Sequence, residues 1–398
     1  MSRRRSLVFS ALLLLPLLVA SMLAGRAWAS ALPRPHRIAN WEPEFMASGH
    51  TYTKAEAVAQ AKAFDLIVAD SYAFRDYVAA MKAANPRLVL LAYQNGGYSL
   101  HDNGSKYADA WYAHTSTGAK IKSRSFGNYL MDVSDWHWVK TVGELCLTHL
   151  SGSHYDGCFL DSLGPAALSL DYVTGLPINP STGEVWTQSA YMKVTTRLAS
   201  KVRSRVPSTK FVAANGIQNG SEYFATSGPT GQLADPIDAA MVELFVRPPF
   251  SSATTFRSVS DWKLDVDMLV DAGARGRSLL CVTKLWSKST TEQKQQWLQY
   301  ALGTFLLGTN GRSYFAFLSS RAPSHASSLL KVKLGPPTRH YREAGGVYRR
   351  RFKRGAVFVN PSDGPLSLTF RHSYLTTSGA RVKSLTLQPH TATILLDA

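Results

Sequence analysis

The strongest constraint in this chain is a repeated alternation of short apolar runs with longer amphipathic ones. Eight runs read as strands: Arg37–Trp41, Asp65–Asp70, Arg87–Tyr93, Asp156–Asp161, Lys210–Asn215, Ala239–Phe245, Ser278–Leu285 and Arg312–Phe317. Several are unbroken, such as Leu66-Ile67-Val68-Ala69 and Leu88-Val89-Leu90-Leu91-Ala92. A strand without polar alternation is buried on both faces, as in a parallel sheet flanked by helices. The intervening segments carry helical signals. Lys54–Ala63 follows a capping Thr53, and Phe74–Ala84 stops at Asn85-Pro86. Asp135–Leu150, Thr187–Arg205, Ser258–Ala272 and Thr290–Leu307 continue the pattern. Strand and helix alternating about eight times predict an α/β fold, the (β/α)8 TIM barrel. An open doubly wound sheet would want a glycine-rich phosphate loop after its first strand, and none is present.

The two ends have a different texture. Residues 1–29 read as a signal peptide: Arg3, Arg4 and Arg5, an apolar stretch from Leu7 to Leu23, then the small-x-small pattern Ala27-Trp28-Ala29. No other segment is long and apolar enough to span a bilayer, so the expected location is secreted or cell-surface. Residues 30–334 would form the barrel. Beyond Gly335-Pro336-Pro337, the runs Val347–Arg351, Ala356–Val359, Leu366–Phe370, Ala380–Leu387 and Thr391–Leu395 are separated by Asn-Pro, Ser-Asp-Gly and Ser-Gly turns. That predicts a small antiparallel, sandwich-like β domain over 335–398.

The net charge of +17 falls to +13 once the four leader arginines are removed. So basic an exported chain should be drawn to polyanions, an anionic cell-envelope polymer among them. Nucleic acid is the rival partner, but no recognition motif appears and the basic residues are dispersed. Cys146, Cys158 and Cys281 are too few for a disulfide framework and have no zinc-site spacing, so neither metal nor cofactor is expected.

A barrel concentrates its chemistry at the C-terminal ends of its strands. The polar residues there are Asp70, Tyr93, Asp161, Asn215, Glu243 and the Lys284–Trp286 segment. Asp161 ends Cys158-Phe159-Leu160, which holds its carboxylate rigidly at the edge of a dry core. That placement suits a nucleophile or base, whereas Asp156 opens the same strand and is expected to be structural. Glu243 lies in Met241-Val242-Glu243-Leu244-Phe245. Burial there would raise its pKa, as a general acid requires, unless a buried arginine pairs with it instead. Two carboxyls on strands four and six face each other across a barrel mouth, the arrangement glycosidic cleavage needs. Asp132 is a third rim acid or a helix cap. Trp41, Tyr72, Tyr93, Tyr98 and Trp286 could stack on sugar rings or fill the core. The long segment Gln94–Asp132 is expected to fold over the mouth. A seryl hydrolase is disfavoured by the absence of a Gly-x-Ser-x-Gly elbow.

The Tyr155–Ser162 run, Tyr129-Leu130-Met131-Asp132, the Asn215 and Glu243 strand ends, and the stretch from Gly335-Pro336-Pro337 to Val347–Pro361 resemble a bacterial family known as hypothetical glycoside hydrolase family 15. The resemblance spans nearly all of the chain after the leader. It implies a TIM barrel with a C-terminal β domain, Asp161 as the strand-four catalytic candidate and Glu243 as its strand-six partner. Together these readings predict a secreted glycosidase acting on a poly- or oligosaccharide, with Asp161 as nucleophile or base and Glu243 as general acid. Trp41, Asp70, Tyr93, Asp132, Asn215 and Trp286 are the expected substrate contacts. The alternative is a non-catalytic carbohydrate- or wall-binding protein on the same scaffold, since barrels do not dictate function.

Overall fold

The computed structural model describes residues 32, 38–46, 49–322 and 326–398; the predicted leader lies outside them. Eight parallel strands form the barrel: β1 Trp41–Pro43, β2 Leu66–Ala69, β3 Val89–Asn95, β4 Gly157–Asp161, β5 Phe211–Ile217, β6 Ala239–Val242, β7 Leu279–Lys284 and β8 Tyr314–Leu318. Neighbours pair in sequence order, and a parallel bridge between Asn40 and Phe315 closes the ring. Among the described residues six helices cover the outside: α1 Lys54–Ala63, α2 Val78–Ala84, α3 Trp136–Ser153, α4 Gln188–Arg205, α5 Val259–Ala274 and α6 Thr291–Gly308. Between β5 and β6 only the single turn Gly220–Tyr223 and a 3-10 segment, Thr230–Ala234, stand where a full helix would complete the repeat.

Alternation along the strands divides the core in two. Val89, Leu91, Phe159, Ala213, Ala239, Met241, Leu280 and Val282 form one cluster inside the barrel; Leu90, Cys158, Leu160, Val212 and Cys281 belong to the layer between strands and helices. Trp41 is fully buried in the inner cluster, its Nε1 donating to the Cys281 carbonyl at 3.0 Å. This overturns its expected role as a substrate contact. Trp41 begins β1 instead of ending it, so its ring plugs the barrel below the mouth. Gly157 is required by close approach: a Cβ there would lie 2.2 Å from the Phe211 carbonyl oxygen of β5. A disulfide joins Cys146 on α3 to Cys158 on β4.

The C-terminal strands are β9 Arg342–Ala344, β10 Val347–Phe352, β11 Gly355–Asn360, β12 Leu366–Thr376, β13 Arg381–Leu387 and β14 Thr391–Asp397. They form one six-stranded antiparallel sheet in the order β9-β10-β11-β14-β12-β13. Strand β11 is buried along its whole length. Val357 and Val359 pack into the barrel's outer core, while Ala356 and Phe358 face a small core with Leu387 and Leu395. A cavity of about 580 Å³ lies between this sheet and the bottom of the barrel, lined by Ile38, Ser313, Leu334 and Phe352 among others, at the end opposite the strand-end carboxylates.

Candidate active site

The inward series of each strand runs on into the mouth. Tyr93 follows Leu91, Asp161 follows Phe159, Asn215 follows Ala213, Glu243 follows Met241, and Lys284 follows Val282. Five strands of different sequence thereby converge on one constellation. Asn215 is its centre: its Nδ2 donates to Asp161 Oδ1 and to Glu243 Oε2, each at 2.9 Å. Those two oxygens are therefore at most about 5.8 Å apart. Tyr93 donates its hydroxyl to the other Asp161 oxygen at 2.9 Å, and the Ser162 amide donates to Oδ1 at 2.8 Å. Ser162 itself sits at φ 65°, a left-handed turn that ends β4 abruptly and holds Asp161 at the rim.

Lys284 contributes the only cation in hydrogen-bond contact with the two carboxyls among the described residues. Its Nζ lies 2.8 Å from Glu243 Oε1; the lysine side chain is 2% exposed, whereas Glu243 keeps 38% of its surface open to the mouth. Burial alone would raise the Glu243 pKa, but Lys284 and the Asn215 amide outweigh it and hold the carboxyl below its ordinary value. Protonating Glu243 would leave the lysine charge buried without a counter-ion, a costly state. Asp161 has the opposite bias. Burial, reinforced by the negative charge of Glu243, raises its pKa against the neutral donors Asn215, Tyr93 and Ser162. The expectation that Glu243 is the high-pKa member is thus reversed, because its partner is a strand-seven lysine two positions before Trp286.

The remaining candidates divide. Asp70 lies at the end of β2 and accepts the Tyr72 hydroxyl at 3.0 Å. Trp286 is half-buried beside the site, with Lys284 Nζ 5.0 Å and the Arg321 guanidinium 4.8 Å from its ring, and exposed Phe250 5.7 Å away. Asp132 is no member of the carboxyl pair. Its Oδ1 accepts the Ser134 amide and hydroxyl at 2.9 and 2.6 Å, and the cap of α3 is Asp135, which accepts the His137 and Trp138 amides. Asp156 is structural as expected, accepting the Leu90 amide at 2.8 Å and pairing with Lys82 at the base of β4.

Sequence reasoning missed two further features. Lys284 was visible as a strand-end residue but had no assigned partner. Glu44, just past β1, is buried, and its pKa is lifted to about 8 by that burial and by the nearby Asp70 and Glu42 charges. Counting β1 from Trp41 instead of to it would have placed Glu44 just past the strand end.

The segment after β3 does fold beside the mouth. Tyr98–Ser99 pairs with Tyr129–Leu130, the Gly96 amide donates to the Asp161 carbonyl, and the Met131 amide donates to the Gly97 carbonyl, each at 2.9 Å. No helix among the described residues is long and apolar enough to cross a membrane.

Comparison with solved structures gives the same architecture. An α-amylase from Anoxybacillus superposes with a TM-score of 0.52 at 11% identity, covering 91% of this chain and 98% of that one. An α-amylase from Geobacillus thermoleovorans, complexed with acarbose, gives 0.51 at 11% identity over 90% and 98%. A GH31 dextranase from Flavobacterium johnsoniae gives 0.54 at 10% identity over 92% of this chain and 52% of that one. At such identities the likeness concerns the fold. No curated protein matches in sequence. The profile of hypothetical glycosyl hydrolase family 15 matches residues 82–356, which include Tyr93, Asp161, Asn215, Glu243 and Lys284. With more than half its length inside that match, the chain belongs to hypothetical glycosyl hydrolase family 15.

Proposed function

We propose that this glycoside hydrolase is exported, cleaves a poly- or oligosaccharide with retention of configuration, and uses Glu243 as nucleophile and Asp161 as acid and base. The observation that carries the reading is the single Asn215 amide hydrogen-bonded to both carboxyls. Retaining pairs stand about 5–5.5 Å apart, whereas inverting pairs need roughly 6.5–9.5 Å to admit a water. In the first step Glu243 Oε2 bonds to the anomeric carbon, the glycosidic C–O bond breaks, and the leaving oxygen takes the Asp161 proton. In the second, water attacks that carbon, Asp161 recovers a proton from it, and the Glu243 ester is released.

The electrostatic division supports these roles. Glu243 is kept ionised by Lys284, while Asp161 has no cationic partner among the described residues and holds its proton more tightly. Trp286 and Tyr93 are the aromatic surfaces offered to a sugar beside the pair, and Asp70 is a polar contact on the β2 side. The Cys146–Cys158 disulfide supports export, because such bonds persist in oxidising compartments. The leader predicts a mature N-terminus at Ser30, which mass spectrometry of the native protein would check. The basic charge supports an anionic envelope polymer as an additional partner.

The test is to find a substrate by glycan screening, then assay Asp161→Asn and Glu243→Gln. Each should lose at least a hundredfold in kcat, the range typical of removing an acid–base group. Azide should restore turnover to Glu243→Gly as a glycosyl azide of inverted configuration. Full activity in both conservative variants would remove these residues from the chemistry.

A further inference from the structure

A second cavity, of about 220 Å³, lies where the two long insertions of the barrel meet. One wall comes from the segment after β3, the other from residues 162–187 after β4. The insertions are tied together by the Ile178 amide donating to the His114 carbonyl at 3.0 Å and the Thr174 amide donating to the Lys122 carbonyl at 2.9 Å. Its floor is apolar and aromatic: Tyr112, Leu130, Val133, Trp186 and Tyr191 are buried, with the Trp186 and Tyr191 rings edge to face at 6.1 Å. His114 and Asp132 stand at its half-exposed margin.

One buried polar group of this cavity lacks a partner, and a carboxyl stands at its margin. Tyr191 is 2% exposed, and its hydroxyl finds no hydrogen-bond partner among the described residues. A buried hydroxyl without a partner costs roughly 1–3 kcal/mol and is rare in native structures. At the margin of the cavity, Asp132 accepts the Ser134 amide and hydroxyl through Oδ1. Burial holds this carboxyl above its ordinary pKa against the Ser134 donors and the Asp135 amide, with the Asp135 charge adding to the rise. The cavity is also joined to the catalytic strand. Asp132 follows Met131, whose amide is bonded to Gly97, and the adjoining Gly96 is bonded to Asp161. The Tyr98 hydroxyl lies in the field of Asp161, and that of Tyr191 lies in the fields of Tyr98 and Asp132.

We infer that this cavity is a carbohydrate subsite: it receives one neutral pyranose unit of the substrate chain, whose apolar face packs on Trp186 and whose hydroxyls pair with Tyr191 and the Asp132 carboxyl. An aromatic wall with one acceptor and one donor–acceptor hydroxyl is what a sugar ring requires, since its faces are apolar and its rim is polar. The inference rests on the glycosidase reading of the adjoining site but assigns residues that take no part in bond cleavage. A unit held here would anchor the chain at a fixed distance from the pair, so the subsite sets the preferred substrate length.

The test is saturation-transfer NMR on the full chain carrying Asp161→Asn, which prevents turnover, with glucose, galactose and N-acetylglucosamine as separate probes at millimolar concentration. At least one should bind. Adding Tyr191→Phe should weaken that binding about fivefold, the worth of one net hydrogen bond, and Asp132→Asn about tenfold, as for a bond to a charged acceptor. Because the Tyr191 hydroxyl has no partner to lose among the described residues, Tyr191→Phe should leave the Tm unchanged or higher. Binding by none of the three sugars, or binding unaltered by both substitutions, overturns the subsite. So does a Tm fall of several degrees in Tyr191→Phe, which would give the hydroxyl a structural role. Failure of the catalytic reading has a different signature: Asp161→Asn and Glu243→Gln stay active on the screened substrate, whatever the sugars do here.

Discussion

Replacing Lys284 by methionine tests the electrostatics of the site most sharply. The change keeps an unbranched side chain inside the barrel and removes the cation 2.8 Å from Glu243 Oε1. Deleting one partner of a fully buried pair typically loses about 3–5 kcal/mol, whereas fully exposed pairs are worth about 0–1 kcal/mol. The lysine is 2% exposed but the Glu243 side chain is 38% exposed, so water recovers part of the lost attraction. An intermediate cost of about 2 kcal/mol corresponds to a factor of roughly thirty. The sign follows from the direction of the shift. Glu243 is held below the ordinary carboxylate range, so the pair stabilises the fold above that range and fades as pH falls through the lowered value. Without Lys284 the carboxyl protonates at higher pH. The acid limb of kcat/KM should therefore move up, with activity in mildly acidic buffer falling about thirtyfold while the alkaline side is spared. Lys284→Arg should retain the original limb. An acid limb unmoved in Lys284→Met would refute the claim that this lysine keeps the nucleophile ionised.

Reducing the disulfide, or replacing Cys146 and Cys158 together by serine, opens a link of sequence separation 12. Loop-closure entropy puts its contribution at about 3 kcal/mol, so the urea midpoint should fall clearly; no shift would show the bond to be thermodynamically idle. Asp265 is buried on α5 and takes the Gly220 amide at 2.6 Å, the Val246 amide at 3.0 Å and Arg257 at 3.1 Å. Val246, three residues past Glu243, is held at φ 59°, a conformation β-branched residues avoid. Asp265→Ala strands the Arg257 charge and two amides, and a loss of about 3–5 kcal/mol in urea unfolding is expected. Burial lifts the Asp265 pKa to about 6, so this group should add stability as pH falls from about 6 toward the ordinary value of 3.8, a gain that Asp265→Asn abolishes.

Much of the fold was readable because barrel strands buried on both faces leave a continuous apolar trace. Leu66–Ala69 and Gly157–Asp161 fall within one residue of the predicted runs, and α1 coincides with its predicted span. Boundaries failed where polar residues sit inside a barrel end. Trp41 looked like the last residue of a strand because Glu42, Pro43 and Glu44 follow it, yet it is the first. In Asp161, Asn215 and Glu243 the period of two was enough: each continues an inward series of small or apolar residues. The roles were not readable, because they depend on which side chain of a neighbouring strand meets Glu243. Lys284 is 41 residues away, and only closure of β6 onto β7 brings it there. Likewise, nothing local distinguishes Cys146 and Cys158, which pair across a helix–strand interface, from Cys281, which stays free and buried.

The most direct test of the central claim is the configuration of the first product. Proton NMR of the anomeric signal, recorded before mutarotation on the screened substrate, should show the configuration of the scissile bond retained, because two carboxyls bridged by one Asn215 amide leave no room for a water between attacker and sugar. An initial product of inverted configuration would contradict it.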